Sequence, residues 1–442
     1  MFLKIVVKKI TPRFVVAAYH YCLAWLAGFW YGWPSKQMLI IGVTGTKGKT
    51  STCNFIHSVL TAGGYKTGLL STANIKIGQE EMLNHFHMTM PGRFALQKFL
   101  FQMAKAGCCA AVIETSSEGI RQFRHKAIIY DFLVFTNLSP EHLGSHGNSF
   151  EKYKKAKGQV FAELNNSPQK NIAGLEAPKT IIVNQDDSNH NYFLSFPAAK
   201  KLTYGFNLDS DYIAQKAQAT VGGVDFTVNG LGFHLDTLGV FNVYNALTAI
   251  IIGDLLGLSR PAVQEGLANI KVIPGRMEPI DLGQDFLVLV DYAHEQKSMS
   301  LALQAGRQIA DKNGQVIVLL GAEGGGRDKS KRGQMGQVAS QLADYVVVSN
   351  VDPYSDSPGQ IIQDIALAAE QAGKKREQNL FTIEDRRQGI KKALSLARKG
   401  DVVLITGKGA EQCMIVTGKT IPWDDRKIVT EELKILWFAA HK

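Results

Sequence analysis

A chain of 442 residues is too long for one hydrophobic core, so we expect two or three domains. Its hydrophobic fraction of 45% and charged fraction of 20% are those of a folded protein and exclude a disordered one. The net charge of +10 suits an anionic partner, but the Lys and Arg residues are scattered and no basic–aromatic cluster stands out. This pattern favours a polyphosphate ligand and argues against nucleic acid as a partner.

The N-terminal segment, residues 1–37, contains an apolar stretch at 14–33, "FVVAAYHYCLAWLAGFWYGW", which has no Lys, Arg, Asp or Glu. Its twenty residues are long enough to span a bilayer. The phosphate-binding loop described next, residues 42–52, lies a few residues beyond this stretch and must face the cytosol. A spanning helix would therefore place Lys4, Lys8, Lys9 and Arg13 outside, against the positive-inside tendency. We therefore expect a helix that lies in a membrane interface or against a protein partner, with docking on its own domain as the alternative.

Residues 42–52, "GVTGTKGKTST", follow an apolar run and read as a phosphate-binding loop of unusual spacing. The general pattern G-x-x-x-x-G-K-[ST] would need a glycine where this chain has Val43. The strand before the loop and the helix after it still give the right context. Backbone N–H groups and the helix N-terminus would face the phosphates, Lys49 would add a charge and the Thr50 hydroxyl would reach Mg²⁺.

Strand-like runs alternate with helix-length segments in the first half of the chain, at 37–45, 108–114 and 130–138. This alternation predicts a parallel sheet with crossover helices. Between about 200 and 240 the residues alternate apolar and polar around glycines, which indicates antiparallel hairpins added to that sheet. The run 239–258 is predicted to be helical.

A domain boundary is predicted near "VIPGRMEPI", residues 272–280, where Pro274 and Gly275 interrupt two structured stretches. Beyond it, four apolar strands each end in a polar or glycine-rich motif, at 286–294, 316–329, 344–354 and 401–412. Ligands of open α/β sheets bind outside the carboxyl ends of the strands, so these motifs should line one crevice.

Three further side chains in the first half are candidates for metal chemistry. Glu114 ends a strand, His142 follows another strand, and Lys157 lies on the next helix. Any one of them alone would more often be an ordinary polar residue. Their shared position at or just beyond the carboxyl ends of strands favours a common site.

The motifs together resemble those of the Mur ligase family, the ATP-dependent amide-forming enzymes of peptidoglycan precursor synthesis. The closest resemblance is to the branch that adds the third peptide residue to UDP-N-acetylmuramoyl-dipeptide. The matching stretches run in the family's order over about residues 38–442: "VTGTKGKTST", "ETSSEGIRQFR", "FTNLSPEHLGSHG", "YKKAKGQVF", "GVFNVYNALTA", "GRME", "VDYAH", "GGGRDKSKR" and "GKGAEQ".

The resemblance implies an α/β fold with two domains after the N-terminal segment. Residues 38–273 would form a central P-loop ATPase-like domain, a parallel sheet with added antiparallel strands. Residues 274–442 would form a Rossmann-like C-terminal α/β domain that binds the incoming amino acid. The ligands would be ATP, Mg²⁺ at two sites, a UDP-linked muramoyl peptide and a free amino acid.

The resemblance also implies roles for individual positions. Thr50 and Glu114 would hold one Mg²⁺ and His142 a second, while Lys157 matches a lysine that CO₂ carbamylates into a metal ligand. The positions that match ATP-binding residues are Gly45, Thr46, Lys47, Gly48, Lys49, Thr50, Ser51, Asn242, Arg276 and Asp291. The positions on the acceptor side are Thr89, Ser116, Gln122 and Arg124. The positions on the amino-acid side are His294, Arg332, Asp352, Tyr354, Gly407 and Glu411.

The chain departs from the family pattern in several places. Only about 37 residues precede the first strand, where the family has a uridine-binding domain, so we expect that domain to be missing. Val351-Asp352-Pro353-Tyr354 stands where members that add diaminopimelate have Asp-Asn-Pro-Arg, and a tyrosine cannot pair with a carboxylate in bidentate fashion. Asp352 could instead favour a cationic side chain such as lysine, or simply form a turn. Met90, Glu118 and Ala410 also replace family residues.

We therefore expect an ATP-dependent ligase that joins an amino acid, a diamino acid by preference, to a muramoyl-peptide acceptor through an acyl phosphate. Folylpolyglutamate and cyanophycin synthetases share the chemistry and are enzymatic alternatives. A nucleotide-dependent switch or scaffold at a membrane is an alternative of another class. The five cysteines form no metal-ligand spacing, which fits a reduced, cytoplasmic protein that is peripheral to the membrane at most.

Overall fold

The computed structural model describes residues 12–86, 88–141, 143–172, 174–220 and 222–440. Its α-helices are α1 (Arg13–Trp30), α2 (Lys49–Ala62), α3 (Arg93–Lys105), α4 (Ser117–Arg121), α5 (Phe150–Leu164), α6 (His190–Leu194), α7 (Asn242–Leu255), α8 (Arg260–Ala268), α9 (Gln296–Ile309), α10 (Ser330–Leu342), α11 (Pro358–Gln371), α12 (Arg386–Leu396) and α13 (Asp425–Ala440). Short 3₁₀ helices occur at Pro34–Gln37 and Leu143–His146.

The strands of the large sheet are β1 (Leu39–Thr44), β2 (Thr67–Leu70), β3 (Asn74–Ile77), β4 (Glu80–Leu83), β5 (Ala110–Glu114), β6 (Phe132–Phe135), β9 (Thr180–Asn184), β10 (Lys200–Gly205), β11 (Tyr212–Thr220), β12 (Gly223–Val228) and β13 (Leu231–Leu235). The second sheet has β14 (Glu278–Pro279), β15 (Leu287–Asp291), β16 (Val316–Leu320), β17 (Tyr345–Ser349), β18 (Leu380–Ile383) and β19 (Val402–Thr406). Two small hairpins are formed by β7 (Asn171–Ile172) with β8 (Leu175–Glu176) and by β20 (Cys413–Val416) with β21 (Lys419–Pro422).

The large sheet has the strand order β13-β12-β11-β10-β9-β6-β1-β5-β2-β3-β4. Its middle is parallel, because β1 pairs in parallel with β5 on one side and with β6 on the other. Every residue of β1 is buried, as its unbroken apolar run predicts for a central parallel strand. The loop that follows β1 therefore emerges between the carboxyl ends of two neighbouring parallel strands.

The region from 200 to 240 is extended, as predicted, but its first pairing differs from the expected hairpin. β10 and β11 pair in parallel, through Tyr204 with Tyr212 and Gly205 with Ile213. The predicted hairpin fits the connection between β12 and β13 better. Asn229 and Gly230 separate β12 from β13 and both have positive φ, as a two-residue turn between antiparallel strands requires.

The second sheet has the order β14-β15-β19-β16-β17-β18, and all its neighbours pair in parallel except β14 with β15. Apolar clusters cover both faces: one involves α9, α10 and α11, and the other involves α12 and α13. The four predicted strands of this half are confirmed as β15, β16, β17 and β19, which are neighbours in the sheet. The mixed α/β class with a Rossmann-like second sheet is confirmed.

The chain divides into two compact units, and the division runs through β11 and β12. The first unit takes the residues up to Gln215 together with Val228–Gly230 and Tyr244–Asn269. The second unit takes Lys216–Thr227, Leu231–Val243 and the residues from Ile270 onward. The predicted division at residues 37 and 273 stays a prediction.

Helix α1 begins at Arg13 and ends at Trp30, inside the apolar segment noted in the sequence. It packs on the first unit, since Ala24 and Ala27 are buried and Gly28 lies against Ala127 and Trp33. Within the part of the chain that the structure describes, no helix combines the length and apolarity needed to cross a membrane.

Candidate functional site

The phosphate-binding loop is fixed by the residues that end β6. Thr136 donates its hydroxyl to the carbonyl of Lys47 at 2.7 Å, and the Asn137 side chain accepts from the backbone N–H of Lys47 at 2.9 Å. Gly45 has φ +151°, and a Cβ there would lie 1.9 Å from the Thr136 hydroxyl. The tight approach therefore requires glycine at this position, and the cradle keeps the backbone geometry that a phosphate needs.

Helix α2 starts at Lys49, directly after Gly48, which has φ +81°. The Lys49 ammonium donates to the carbonyl of Thr46 at 2.8 Å, so its charge lies over the loop. Lys47 forms an ion pair with Glu141 at 2.9 Å, and the Thr46 hydroxyl lies 3.1 Å from the Tyr153 hydroxyl. Ser51 is buried in the first turn of the helix. A helix N-terminus with an adjacent ammonium group is suited to bind an anion.

Glu114 joins the loop to the acceptor-side residue Thr89. One Glu114 oxygen accepts from the Thr50 hydroxyl at 2.9 Å and from the backbone N–H of Thr72 at 2.7 Å. The Thr72 hydroxyl in turn lies 2.9 Å from the hydroxyl of Thr89. Thr72 could not be predicted from the sequence because it belongs to no motif. Oxygen ligands of this kind, a hydroxyl and a carboxylate, are those that Mg²⁺ prefers.

Lys157 lies on α5 and its side chain is buried against the same loop. Its Nζ donates to the carbonyl of Gly45 at 2.7 Å and lies 4.7 Å from the centre of the Tyr153 ring. Burial, followed by the charge of Lys49, lowers the pKa of Lys157 well below its usual value, although Glu141 and Glu114 oppose the shift. A lowered pKa increases the neutral fraction of the amine near pH 7. His142 falls outside the described residues.

Two asparagines of the "FNVYN" motif have different surroundings. The Asn242 side chain donates to the carbonyl of Leu238 at 2.8 Å, within the second unit. The Asn245 side chain, in the first unit, accepts from the Thr52 hydroxyl of α2 at 3.0 Å and lies where a Cβ on Gly48 would clash. Asn245 therefore supports the loop, a role that sequence reasoning did not assign.

The acceptor-side candidates form a small network around α4. Ser116 caps this helix by accepting from the backbone N–H of Gly119 at 3.2 Å. Gln122 donates to Glu118 at 2.7 Å and accepts from Arg124 at 2.8 Å, while Arg124 also donates to the carbonyl of Met90. The unusual Glu118 thus orients Gln122, and the arginine is held in place by backbone and amide oxygens.

In the second unit, Asp291 ends β15 and binds backbone on both sides. One of its oxygens accepts from Met277 N and the other from Ala293 N, each at 2.8 Å. The guanidinium carbon of Arg276 lies 4.6 Å from the centre of the Tyr292 ring. The Nδ1 atom of His294 lies 2.7 Å from the carbonyl oxygen of Tyr292. These contacts gather three predicted residues around Tyr292, which lies in the "VDYAH" motif but was given no role from the sequence.

A buried charge network connects the motifs after β15, β17 and β19. The Tyr292 hydroxyl donates to Glu411 at 3.3 Å, and the Lys408 ammonium pairs with Glu411 and, at 2.8 Å, with Asp352. Burial opposes the charged form of Lys408, but Glu411 and Asp352 raise its pKa above the usual value. Gly407 has φ +109° and packs beside Val351. The predicted meeting of these strand ends in one place is confirmed within this unit.

Asp352 is committed to partners inside the protein. Besides Lys408, it accepts from the backbone N–H of Ile415 at 2.7 Å, and only 5% of it is exposed. Its charge is already balanced by an internal ammonium, so it offers little to a cationic substrate side chain. Asp352 is therefore an internal partner of Lys408 and of the Ile415 backbone.

Arg332 has a similar internal role, whereas Arg327 does not. Arg332 is 2% exposed and pairs with Asp364 at 2.8 Å and Asp356 at 3.4 Å. The Arg327 side chain is 44% exposed, donates to the Tyr354 hydroxyl at 3.2 Å and pairs with Glu323 at 3.3 Å. Arg327, which sequence reasoning left out of the site, is therefore the accessible guanidinium beside Tyr354.

The two arrangements differ in what they can do. The first unit presents a phosphate cradle with an adjacent ammonium, a hydroxyl–carboxylate pair for a divalent cation and a buried amine of lowered pKa. This set suits electrostatic stabilisation of phosphoryl transfer. The second unit presents a paired charge network with an accessible arginine and tyrosine, which suits recognition of a small zwitterion.

Comparisons with known proteins agree with this geometry. The family model described as Mur ligase middle domain matches residues 43–253, and the one described as Mur ligase, glutamate ligase domain matches residues 275–409. The UDP-N-acetylmuramoyl-L-alanyl-D-glutamate–2,6-diaminopimelate ligase of Geobacillus thermodenitrificans is 38% identical over 429 residues, 96% of this chain and 84% of the relative.

Solved structures show the same relationship. A structure of a UDP-N-acetylmuramoyl-L-alanyl-D-glutamate–2,6-diaminopimelate ligase has a TM-score of 0.60 at 28% identity and covers 91% of this chain and 79% of that one. Folylpolyglutamate synthase from Mycobacterium tuberculosis has a TM-score of 0.69 at 20% identity, covering 87% and 91% of the two chains, which shows a shared fold.

Proposed function

The chain belongs to the Mur ligase family, whose members are ATP-dependent ligases, and from this premise we propose that it joins an amino acid to a UDP-N-acetylmuramoyl-peptide-like acceptor. The incoming amino acid is a diamino acid in this proposal, because the relatives named above add 2,6-diaminopimelate. The main structural support for the ATP-dependent reaction is the 2.9 Å hydrogen bond from Thr50 to Glu114, which lies beside the phosphate-binding loop that contains Gly45.

ATP and Mg²⁺ supply activation of the acceptor carboxylate as an acyl phosphate. Lys49 and the backbone N–H groups of the loop bind the phosphates, and Thr50 and Glu114 would hold the cation between loop and strand. Arg276, Asp291 and Asn242 are proposed contacts to the nucleotide, and Thr89, Ser116, Gln122 and Arg124 to the acceptor. Water is excluded by burial of the Glu114 and Lys157 side chains.

Lys157 is proposed to become carbamylated and to act as a second cation ligand, with His142 as its partner. Only the neutral amine reacts with CO₂, and the depressed pKa of Lys157 supports that reaction. The product carries a negative charge, which the adjacent Lys49 would stabilise.

On the amino-acid side we propose Gly407, His294 and Glu411 near the α-ammonium and Arg327 near the α-carboxylate. Glu411 shares Lys408 with Asp352, but its side chain is 23% exposed against 7% for Asp352, so it can reach a ligand. Arg332 and Asp352 then act as internal partners that position these groups. Tyr354, packed under Arg327 at 5.4 Å, shapes the side-chain end of the pocket.

The partner for α1 is proposed to be a membrane interface or another protein, and the ligase would work on the cytoplasmic side, where ATP is available.

The function is tested by phosphate release from ATP and Mg²⁺ with UDP-N-acetylmuramoyl-dipeptide and lysine, ornithine or diaminopimelate. Release should need both the acceptor and one amine, and Glu114→Gln should lower it about 100-fold because a cation ligand is weakened. ATP turnover that is indifferent to acceptor and amine would indicate a switch instead. A matched control is Glu176→Gln, on the small hairpin β7–β8.

A further inference from the structure

The exposed side of α1 is apolar and aromatic along residues 14–30, the part of the helix whose burial the structure describes. Ten of these residues are exposed, and none of the ten is charged: Phe14, Val15, Ala18, Tyr19, Tyr21, Cys22, Trp25, Leu26, Phe29 and Trp30. At 100° per residue they all fall on one side of the helix, opposite the buried Ala24, Ala27 and Gly28. Phe14, Phe29 and Trp30 are 75%, 72% and 73% exposed. A contiguous apolar surface of this kind usually marks an interaction site.

The exposed side of α3 extends this surface. Phe94, Lys98, Phe101 and Lys105 are exposed at helical spacing, and the ring of Tyr31 lies 5.8 Å from that of Phe101. Helix α3 contains no acidic residue. We call the exposed residues of α1 and α3 together the docking face. Aromatic rings alternate with ammonium groups along its α3 edge.

The acidic residues, not the basic ones, are unevenly distributed in this chain. Residues 1–113 contain twelve Lys and Arg but only two acidic residues, Glu80 and Glu81. The remaining residues carry 37 basic and 37 acidic side chains. The entire net charge of +10 therefore belongs to the first quarter of the chain, which includes the docking face.

We propose that the docking face binds the surface of a bilayer that contains anionic lipids. Tyr and Trp rings favour the headgroup level, where one side is apolar and the other wet. The surplus of positive charge in residues 1–113 complements anionic headgroups, which attract Lys and Arg side chains near the membrane surface. An α-helix with one apolar half and one half packed on its protein lies on a membrane rather than across it.

Docking would bring the acceptor-binding segment next to the headgroups, a consequence that rests on the proposed function. The Tyr21 ring of α1 lies 5.8 Å from the Phe123 ring. The Lys126 ammonium lies 5.7 Å from the centre of the Tyr21 ring. Phe123 stands between the acceptor-side residues Gln122 and Arg124. The acceptor would therefore be bound at the membrane surface.

The test is flotation of the full chain with vesicles of phosphatidylcholine alone or with about one third phosphatidylglycerol, in the absence of ATP and acceptor. The chain should float with the anionic vesicles at low salt and lose most of its binding at about 0.5 M NaCl, because salt screens the charges. The double variant Phe29→Ser/Trp30→Ser should bind at least about tenfold more weakly, because two large apolar side chains that would be buried in the bilayer surface are replaced by small polar ones.

Two controls separate docking from other effects. Leu208→Ser and Leu367→Ser change residues that are 72% and 51% exposed outside the docking face, and these variants should float as the unchanged chain does. Thermal unfolding of the double variant should match that of the unchanged chain, since both rings are exposed.

The proposal is overturned if the unchanged chain stays unbound with anionic vesicles at low salt, or if the double variant floats equally well. A change in sedimentation of the double variant without vesicles, together with no flotation, would assign the face to self-association instead. Because flotation needs no substrate, a failed ligase assay leaves its outcome intact, and the two proposals fail separately.

Discussion

The phosphate-loop region of the first unit and the charge network of the second unit differ in how far short sequence motifs determine which side chains meet. In the first region the predicted side chains meet directly: Thr50 contacts Glu114, and Lys157 contacts Gly45. In the second region two predicted residues, Asp352 and Arg332, are paired inside the protein.

The difference follows from what each region has to do. Binding a triphosphate depends on backbone geometry and on a few groups at fixed spacing, so a short motif determines most of it. Discrimination among amino acids depends on which charges remain available after the protein has paired its own. That balance involves residues far apart in sequence.

The largest expected effect concerns Lys157. Lys157→Arg should lower amide formation by about 1000-fold, because the proposed carbamate, and with it the proposed cation ligand, cannot form on a guanidinium. Lys155→Arg, an exposed neighbour on the same helix, is the matched control and should keep full activity. ¹³C NMR with labelled bicarbonate should show a carbamate signal that Lys157→Arg lacks. Normal activity of that variant would remove the lysine from the chemistry.

The second test asks whether Asp352 is structural. Asp352→Ala should lower the free energy of unfolding by about 3 kcal/mol, because it leaves the buried Lys408 with one partner fewer. Urea unfolding of the full chain measures this change, with the exposed Asp209→Ala as the reference. A variant of unchanged stability but altered amine preference would restore Asp352 as the recognition residue.

The third test concerns pH and helix α2. Burial, followed by the charge of Lys76, lowers the pKa of His57 to about 4. Because the folded pKa lies below the unfolded value near 6.5, this histidine favours the folded state above pH 6.5 and loses that contribution as pH falls toward 4. Between pH 7.5 and 5 the loss is about 2 kcal/mol. His57→Gln should flatten this part of the curve of unfolding free energy against pH, and an unchanged slope would contradict the assignment.

The smallest expected effect separates the two arginines. Arg327→Gln should raise KM for the amino acid about tenfold with little change in stability, because one charged hydrogen bond to the carboxylate is lost. Arg332→Gln should chiefly lower stability, because Asp356 and Asp364 lose their partner. Steady-state kinetics and urea unfolding of both variants measure the split. The reverse pattern would return the carboxylate contact to Arg332.

Much of the fold and part of the site could be predicted from sequence. The strands β1, β5 and β6 and the loop after β1 follow from apolar runs and local spacing. The parallel pairing of β10 with β11 could not be read locally, because Tyr204 and Tyr212 pair through a register that the connecting loop does not determine. The roles of Thr72 and Asn245 could not be predicted, because their hydrogen-bond partners are far away in the sequence. Thr72 binds Glu114, and Asn245 binds Thr52. The pairing of Lys408 with Asp352 spans 56 residues and depends on strand order.

The most direct measurement is the stoichiometry of the reaction, followed by mass spectrometry of the product and chromatography of the nucleotides. We expect one ADP and one phosphate for each new amide, with a product mass equal to acceptor plus amino acid minus water. ADP without amide, or AMP and pyrophosphate in place of ADP, would contradict it.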